Sequence, residues 1–284
     1  MTKVNSRDGT PIAYEEQGAG PALILVDGAF GSRTMGPNGP LAPLLAERFT
    51  VYTYDRRGRG DSGAANDAAP DAVSREIEDI EALIGAAGGS AHLYGISSGA
   101  VLALEAATRL TSVRKLALYE APLVVDNSRP PVPDTYLRQM TDLVARDRRG
   151  DAIRLFMKTG IGLPSIVVAL MRLMPAWRKM KAVAHTLPYD VLVTVDFQRG
   201  RPLPVGAWAT ATHQTLVICG GKSPAWMRNG MRALADVLPN ARLRTLEGQT
   251  HLVKPKALAP ILVDFFGAET EAPRMYRAEA GASL

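Results

Sequence analysis

A single cysteine, Cys219, stands in a chain of 284 residues. No disulfide can close within one molecule, so the fold does not depend on an oxidising compartment. Met1 to Gln17 lack the apolar core of a secretory signal. The most apolar run, Ile161–Met174, is broken by Pro164 and Arg172 and falls short of the roughly 18 continuous apolar residues of a membrane helix. A soluble cytoplasmic protein without membrane association is expected. No dense Lys/Arg run with interleaved aromatics is present, which argues against nucleic-acid binding. Histidine pairs at metal-ligand spacing and a Gly-rich phosphate loop are also missing, so neither a metal nor a cofactor is expected.

What remains is ordinary globular composition, 46% hydrophobic and 21% charged. The length suits one α/β domain carrying an inserted lobe. The net charge of +5 is unevenly placed. Ala121–Thr210 holds 13 Lys/Arg against 7 Asp/Glu, and the rest of the chain is nearly neutral. This basic stretch reads either as a solvated surface lobe or as a lid that favours an anionic small-molecule substrate.

Short β-rich runs alternate with helix-period segments, the pattern of a mostly parallel sheet covered on both faces. Val4–Ser6 and Ile12–Glu16 predict a hairpin turning at Asp8-Gly9. Ala22–Val26, Thr50–Tyr54, Ala91–Tyr94, Val113–Tyr119 and Leu216–Cys219 predict buried strands, and Arg242–Leu246 an edge strand. Val73, Ile77, Ile80 and Ile84 share one helical face that ends at Gly88-Gly89. Leu258, Ile261, Leu262, Phe265 and Phe266 form another stripe after Pro255. From Pro122 to about Gly206 strands become sparse. Helical segments are expected near Tyr136–Arg146, Asp151–Lys158, Ser165–Met174 and Ala176–Ala184, with Pro188, Pro202 and Pro204 as breaks. The expected division is a core of residues 1–121 and 207–268, a helical cap at 122–206 and a tail at 269–284.

Gly95-Ile96-Ser97-Ser98-Gly99 follows a predicted strand and precedes a predicted helix, Gly99–Arg109. In that context G-x-S-x-G marks a sharp turn that presents a nucleophilic Ser97. A serine hydroxyl needs an adjacent base at neutral pH. Of the four histidines, His92 lies inside a strand, and His185 and His213 fall in or just after the insertion. His251 sits in a loop after the last strand, from which imidazole can reach the nucleophile.

With these residues the chain resembles the α/β-hydrolase family, in its lid-bearing esterase and meta-cleavage-product-hydrolase-like branch. The resemblance spans Asp8 to Gly267 and rests on Val26-Asp27-Gly28, on Tyr54-Asp55-Arg56-Arg57-Gly58-Arg59-Gly60-Asp61-Ser62, on the Ser97 turn and on the late His251. It implies an α/β-hydrolase fold with a helical cap inserted between strands, and an oxyanion hole built from the Ala29 and Ser98 amides. The Asp55–Ser62 segment is expected to shape the wall of the site.

Two departures stand out. Where the family usually carries its acid, after the next-to-last strand, this chain has Ser223, which cannot balance an imidazolium. Some members place the acid at the end of the strand that follows the Ser97 helix, here Glu120, with Asp55 or Asp27 as substitutes. The second departure is Asp27, where relatives commonly have His before the glycine of the hole, Gly28. A carboxylate near a developing oxyanion is unfavourable unless turned away, hydrogen-bonded or protonated. Asp27 is therefore either a structural residue pinning the loop Gly28–Met35 or an extra polar group acting on substrate. The expected function is a serine hydrolase cleaving an ester, thioester or lactone through an acyl-enzyme, with Ser97, His251 and Glu120 as triad. Non-hydrolytic chemistry on the same scaffold (lyase, cyclase or perhydrolase), C–C-bond hydrolysis and a binding protein that has lost catalysis are the alternatives.

Overall fold

The computed structural model describes residues 1–64 and 71–268; the tail expected at 269–284 lies outside the described residues. Eight strands are present: β1 (Thr2–Asn5), β2 (Pro11–Gln17), β3 (Ala22–Val26), β4 (Thr50–Tyr54), β5 (Ala91–Ile96), β6 (Val113–Tyr119), β7 (Gln214–Gly220) and β8 (Ala241–Leu246). They form one sheet in the order β1-β2-β4-β3-β5-β6-β7-β8. β1 and β2 make the antiparallel hairpin, β2 joins β4 antiparallel, and every pairing among β3 to β8 is parallel. Parallel strands require crossovers that place helices on both faces. β5 accordingly is buried at all its positions, whereas the edge strand β8 is largely exposed.

Helices α1 (Asn38–Leu45), α2 (Ala72–Ala86), α3 (Ser98–Ala107), α9 (Ala225–Val237) and α10 (Pro255–Gly267) cover the sheet. On one face, Ile77 and Ile80 of α2, Val101 and Leu104 of α3 and Leu234 of α9 share a core. On the other, Leu41 and Leu45 of α1 meet Leu262, Phe265 and Phe266 of α10. Buried side chains of this size each contribute about 1.5–3 kcal/mol, so the two layers hold the sheet edge in a fixed geometry. Buried Lys115 of β6 donates to the Phe265 and Ala268 carbonyls, capping the end of α10. Helix α1 is not apparent from its sequence, NGPLAPLL, because its glycine and prolines are poor helix formers. Burial of Leu41, Ala42 and Leu45 against the sheet and α10 overrides propensity there.

Between β6 and β7 the chain leaves the sheet to form α4 (Tyr136–Ala145), α5 (Arg149–Leu155), a π-helical turn (Phe156–Ile161), α6 (Ser165–Met171), α7 (Pro175–Val183) and α8 (Leu187–Thr194). These helices have their own apolar centre, with Tyr136, Met140, Ile153, Trp177, Leu187 and Val191 buried together. The break expected at Pro188 falls at a helix start. Pro188 lies in the first turn of α8, where its missing N–H is not needed. Among the described residues no helix is long and apolar enough to cross a membrane.

Candidate active site

The site forms at the carboxyl edge of the central strands. Ser97 stands between β5 and α3 with φ 58° and ψ −130°, a conformation that L-residues avoid and that functional turns often store. Its N–H is held by the Tyr119 carbonyl at 2.9 Å. Close approach of backbones makes the turn possible. A side chain at Gly99 would meet the Val26 and Asp27 carbonyls at about 2.4–2.5 Å, and one at Gly28 would come within 2.8 Å of Ser97 Cβ. Gly28 therefore lies directly against the serine.

On the neighbouring strand end, Glu120 is wholly buried and also has positive φ, 46°. Its Oε2 lies 2.9 Å from His251 Nδ1. Its Oε1 accepts the Gly220 N–H at 2.7 Å and the Ser223 hydroxyl at 2.5 Å. Ser223, at the position where the resemblance implies an acid, donates to the carboxylate at the end of the neighbouring strand β6. His251 Nδ1 pairs with Glu120, whereas Asp55 accepts from the Arg33 N–H and Nε and from the Asp61 N–H. The Tyr119 hydroxyl donates to the Thr250 carbonyl at 2.7 Å, fixing the loop that carries His251.

Asp27 is buried, and its side chain is directed at Gly31 and Gly36. Burial, opposed by Arg59 and Arg56, pushes its carboxyl up from 3.8 to about 8. Its Oδ1 has no hydrogen-bond partner among the described residues. Ser98 follows Ser97 directly at the start of α3, and Ala29 follows Gly28, which lies against the serine.

Beneath this edge lies an ionic network that the sequence pattern does not announce. Asp190 of α8 is fully buried and accepts from Arg56 Nη1 at 2.7 Å, Arg59 Nη2 at 2.6 Å and Ser98 Oγ at 2.8 Å. Arg56 also grips Glu76 with two bonds of 2.7 Å and the Asp27 carbonyl at 3.2 Å. Arg59 holds the Gly28 and Gly31 carbonyls at 2.7 and 3.2 Å. Burial opposes ionisation of Asp190, but the two arginines and the Ser98 hydroxyl draw its pKa down from the ordinary value. This network ties the insertion to the loop after β3 and to the start of α3. One signal was available: Asp190 is the only acidic residue between Asp151 and Asp196 and stands in the apolar run LPYDVLV.

The remaining histidines have other surroundings. His92 packs between Phe49 and Phe266, and burial lowers its pKa to about 4. His185 Nε2 bonds the Gly58 carbonyl at 2.9 Å, and burial lowers the pKa of His213. A cavity of about 770 Å³ is lined by Ser97 and His251, by Trp226 and Met227 of α9, and by Arg129 and Leu163 of the insertion.

This sheet, turn and histidine loop define the α/β-hydrolase class, and the sequence profile described as "Alpha/beta hydrolase family" matches residues 23–261. The chain belongs to that family. A solved α/β hydrolase from Sphaerobacter thermophilus is 50% identical, covers 93% of this chain and 100% of its own, and superposes with a TM-score of 0.85. A pimeloyl-[acyl-carrier protein] methyl ester esterase of Xanthomonas campestris pv. campestris is 30% identical over 82% of this chain and 89% of its own. The enol-lactonase of Burkholderia xenovorans shares the fold at 20% identity, covering 94% of this chain and 100% of its own, with a TM-score of 0.66.

Proposed function

We propose that the protein is a serine hydrolase that cleaves an ester, thioester or lactone of a small molecule through an acyl-enzyme. The observation that carries this is the His251–Glu120 pair, 2.9 Å apart, opening onto the same cavity as Ser97. The 30%-identical methyl ester esterase supports the bond type.

In this mechanism Glu120 accepts the Nδ1–H of His251, which leaves the Nε2 lone pair as general base. Nε2 takes the Ser97 proton as Oγ attacks the carbonyl carbon. The carbonyl electrons move onto oxygen, where the Ala29 and Ser98 N–H groups stabilise the charge. Collapse expels the alcohol, thiol or ring oxygen, which receives the proton from Nε2. Water, deprotonated by the same nitrogen, then attacks the acyl-Ser97 ester, and the acid is released as Nε2 returns that proton to Ser97 Oγ. Glu120 balances the imidazolium in both halves, and the insertion acts as the cap of the cavity.

In sequence, Asp27 and Ser223 keep lyase, cyclase and perhydrolase chemistry open. The Asp27 side chain faces Gly31 and Gly36, which favours the loop-pinning role, and a neutral carboxyl does not oppose an oxyanion. Ser223 donates to Glu120. Both departures therefore fit a hydrolytic site. A panel of short and medium nitrophenyl esters tests the reading. Turnover by the wild type that disappears in Ser97→Ala is expected, and equal turnover by both proteins would overturn it.

A further inference from the structure

Among the described residues, the arginines whose side chains are almost wholly buried are each neutralised by carboxylates. Arg33 holds Asp55 and Asp61, Arg56 holds Glu76 and Asp190, Arg57 holds Asp79 and Asp8, and Arg59 holds Asp190. Among those residues Arg129 and Arg228 are half-buried without a carboxylate partner, and of the two Arg129 lines the Ser97 cavity. Among the described residues the hydrogen bonds of Arg129 go only to backbone carbonyls: Pro130 at 3.4 Å, Gly160 at 2.9 Å and Thr159 at 2.7 Å. Its guanidinium lies over the Trp226 ring, 4.6 Å from the centroid. No carboxylate among the described residues pairs with it, and burial draws its pKa below the ordinary arginine value.

A guanidinium has five N–H donors and keeps its charge in proteins. Three are engaged at Arg129, which fixes the fork while leaving donors and positive charge for another group. The carbonyl contacts and the indole face lock its orientation, so little conformational freedom is lost when an anion arrives. The rest of the cavity agrees in sign. Lys158 and Lys222 also line it, neither makes an ion pair among the described residues, and no Asp or Glu among those residues lines the wall. Much of the remaining lining is apolar, with Trp226, Met227, Leu163 and several prolines.

We propose that this cavity holds a carboxylate receptor, with Arg129 as its principal ligand and Lys158 and Lys222 adding positive charge to the same wall. The substrate class is then an ester, thioester or lactone that also bears a carboxylate, joined to the scissile bond through an apolar spacer. The arginine takes the carboxylate through charge-assisted hydrogen bonds, and the apolar wall receives the spacer. The inference rests on Ser97 marking the reacting end of the cavity.

The test uses the full chain carrying Ser97→Ala, so binding is measured without turnover. The probes are the monoanilide of a straight-chain dicarboxylic acid and its neutral counterpart, in which a primary amide replaces the carboxylate. Calorimetric titration should show the anion binding about 10- to 100-fold tighter, the worth of one hydrogen-bonded charge pair. Adding Arg129→Gln should reduce that ratio to within about threefold, while Arg129→Lys, which keeps the charge but not the fork, should retain part of it. Added salt should weaken the anion and spare the neutral probe. Equal binding of the two probes, a ratio untouched by Arg129→Gln in a protein that melts normally, or undetectable binding of the anion would overturn the receptor. Should Arg129→Gln not fold, the Arg129→Lys ratio and the salt response decide. Failure of the Ser97 assignment is read separately, by fluorophosphonate labelling of the wild type.

Discussion

Replacing Glu120 by Gln removes one charge and no volume, and the surrounding hydrogen bonds dictate how the new amide sits. Oε1 of the native carboxylate receives two donors, the Gly220 N–H and the Ser223 hydroxyl. Only the amide oxygen can occupy that place, which forces the NH2 into the position of Oε2, facing His251 Nδ1. An NH2 can only donate. Nδ1 must then accept, the imidazole proton moves to Nε2, and the nitrogen that should deprotonate Ser97 is already protonated. The variant loses the tautomer and the counter-charge together. Loss of a triad acid lowers turnover by about 10⁴-fold elsewhere, which corresponds to about 5.5 kcal/mol of transition-state stabilisation. All three polar contacts remain satisfied, so the melting temperature should change little. The assay is steady-state hydrolysis of the best nitrophenyl ester, with the rate of fluorophosphonate labelling alongside. Glu120→Gln should turn over this ester more slowly by about three to four orders of magnitude, with KM little changed. Activity within about threefold of the wild type would refute the assignment of Glu120, since that is far less than a lost triad acid costs.

Asp190→Asn leaves Arg56 and Arg59 short of a buried counter-charge, a loss of about 3–5 kcal/mol for a broken buried pair; thermal unfolding should show a fall of roughly 6–15 °C, whereas an unchanged midpoint would mean the network contributes no net stability. Asp27→Asn tests the neutral carboxyl. With its folded value raised from 3.8 to about 8, the native state binds the extra proton between those limits, so this group's contribution to stability falls as pH rises through that window, by at most about 1.4 kcal/mol per pH unit. The variant should therefore gain on the wild type progressively from about pH 4 to 8 in melting experiments, and a pH-independent difference would contradict the shift.

Much of this architecture is legible in the sequence because the relevant signals are local. β3, β4 and β6 are short apolar runs whose ends coincide with the observed strands. Ser97 announces itself through Gly95 and Gly99, and Glu120 through its place at a strand end. The departures have physical causes. Helix α1 owes its existence to burial of Leu41 and Leu45, which propensity does not register. Pro188 marks a boundary correctly but opens a helix instead of ending one. Asp190 and its arginines lie more than 130 positions apart in the chain, so only the fold reveals that they are partners. The hydrogen bond from Ser223 to Glu120 spans 103 positions and cannot be read from a serine standing in an unexpected place. In sequence Arg129 is one charge among the 13 of the basic stretch; its carbonyl partners and Trp226 single it out.

The most direct test of the account is where a fluorophosphonate reacts. Intact mass and peptide mapping of the folded wild-type protein should show one adduct, on Ser97, absent from protein denatured before labelling and strongly slowed in His251→Ala. Its appearance should parallel the loss of ester hydrolysis. An adduct on any other serine, or active folded protein that takes up none, would contradict the claim that Ser97 is the nucleophile of a serine hydrolase.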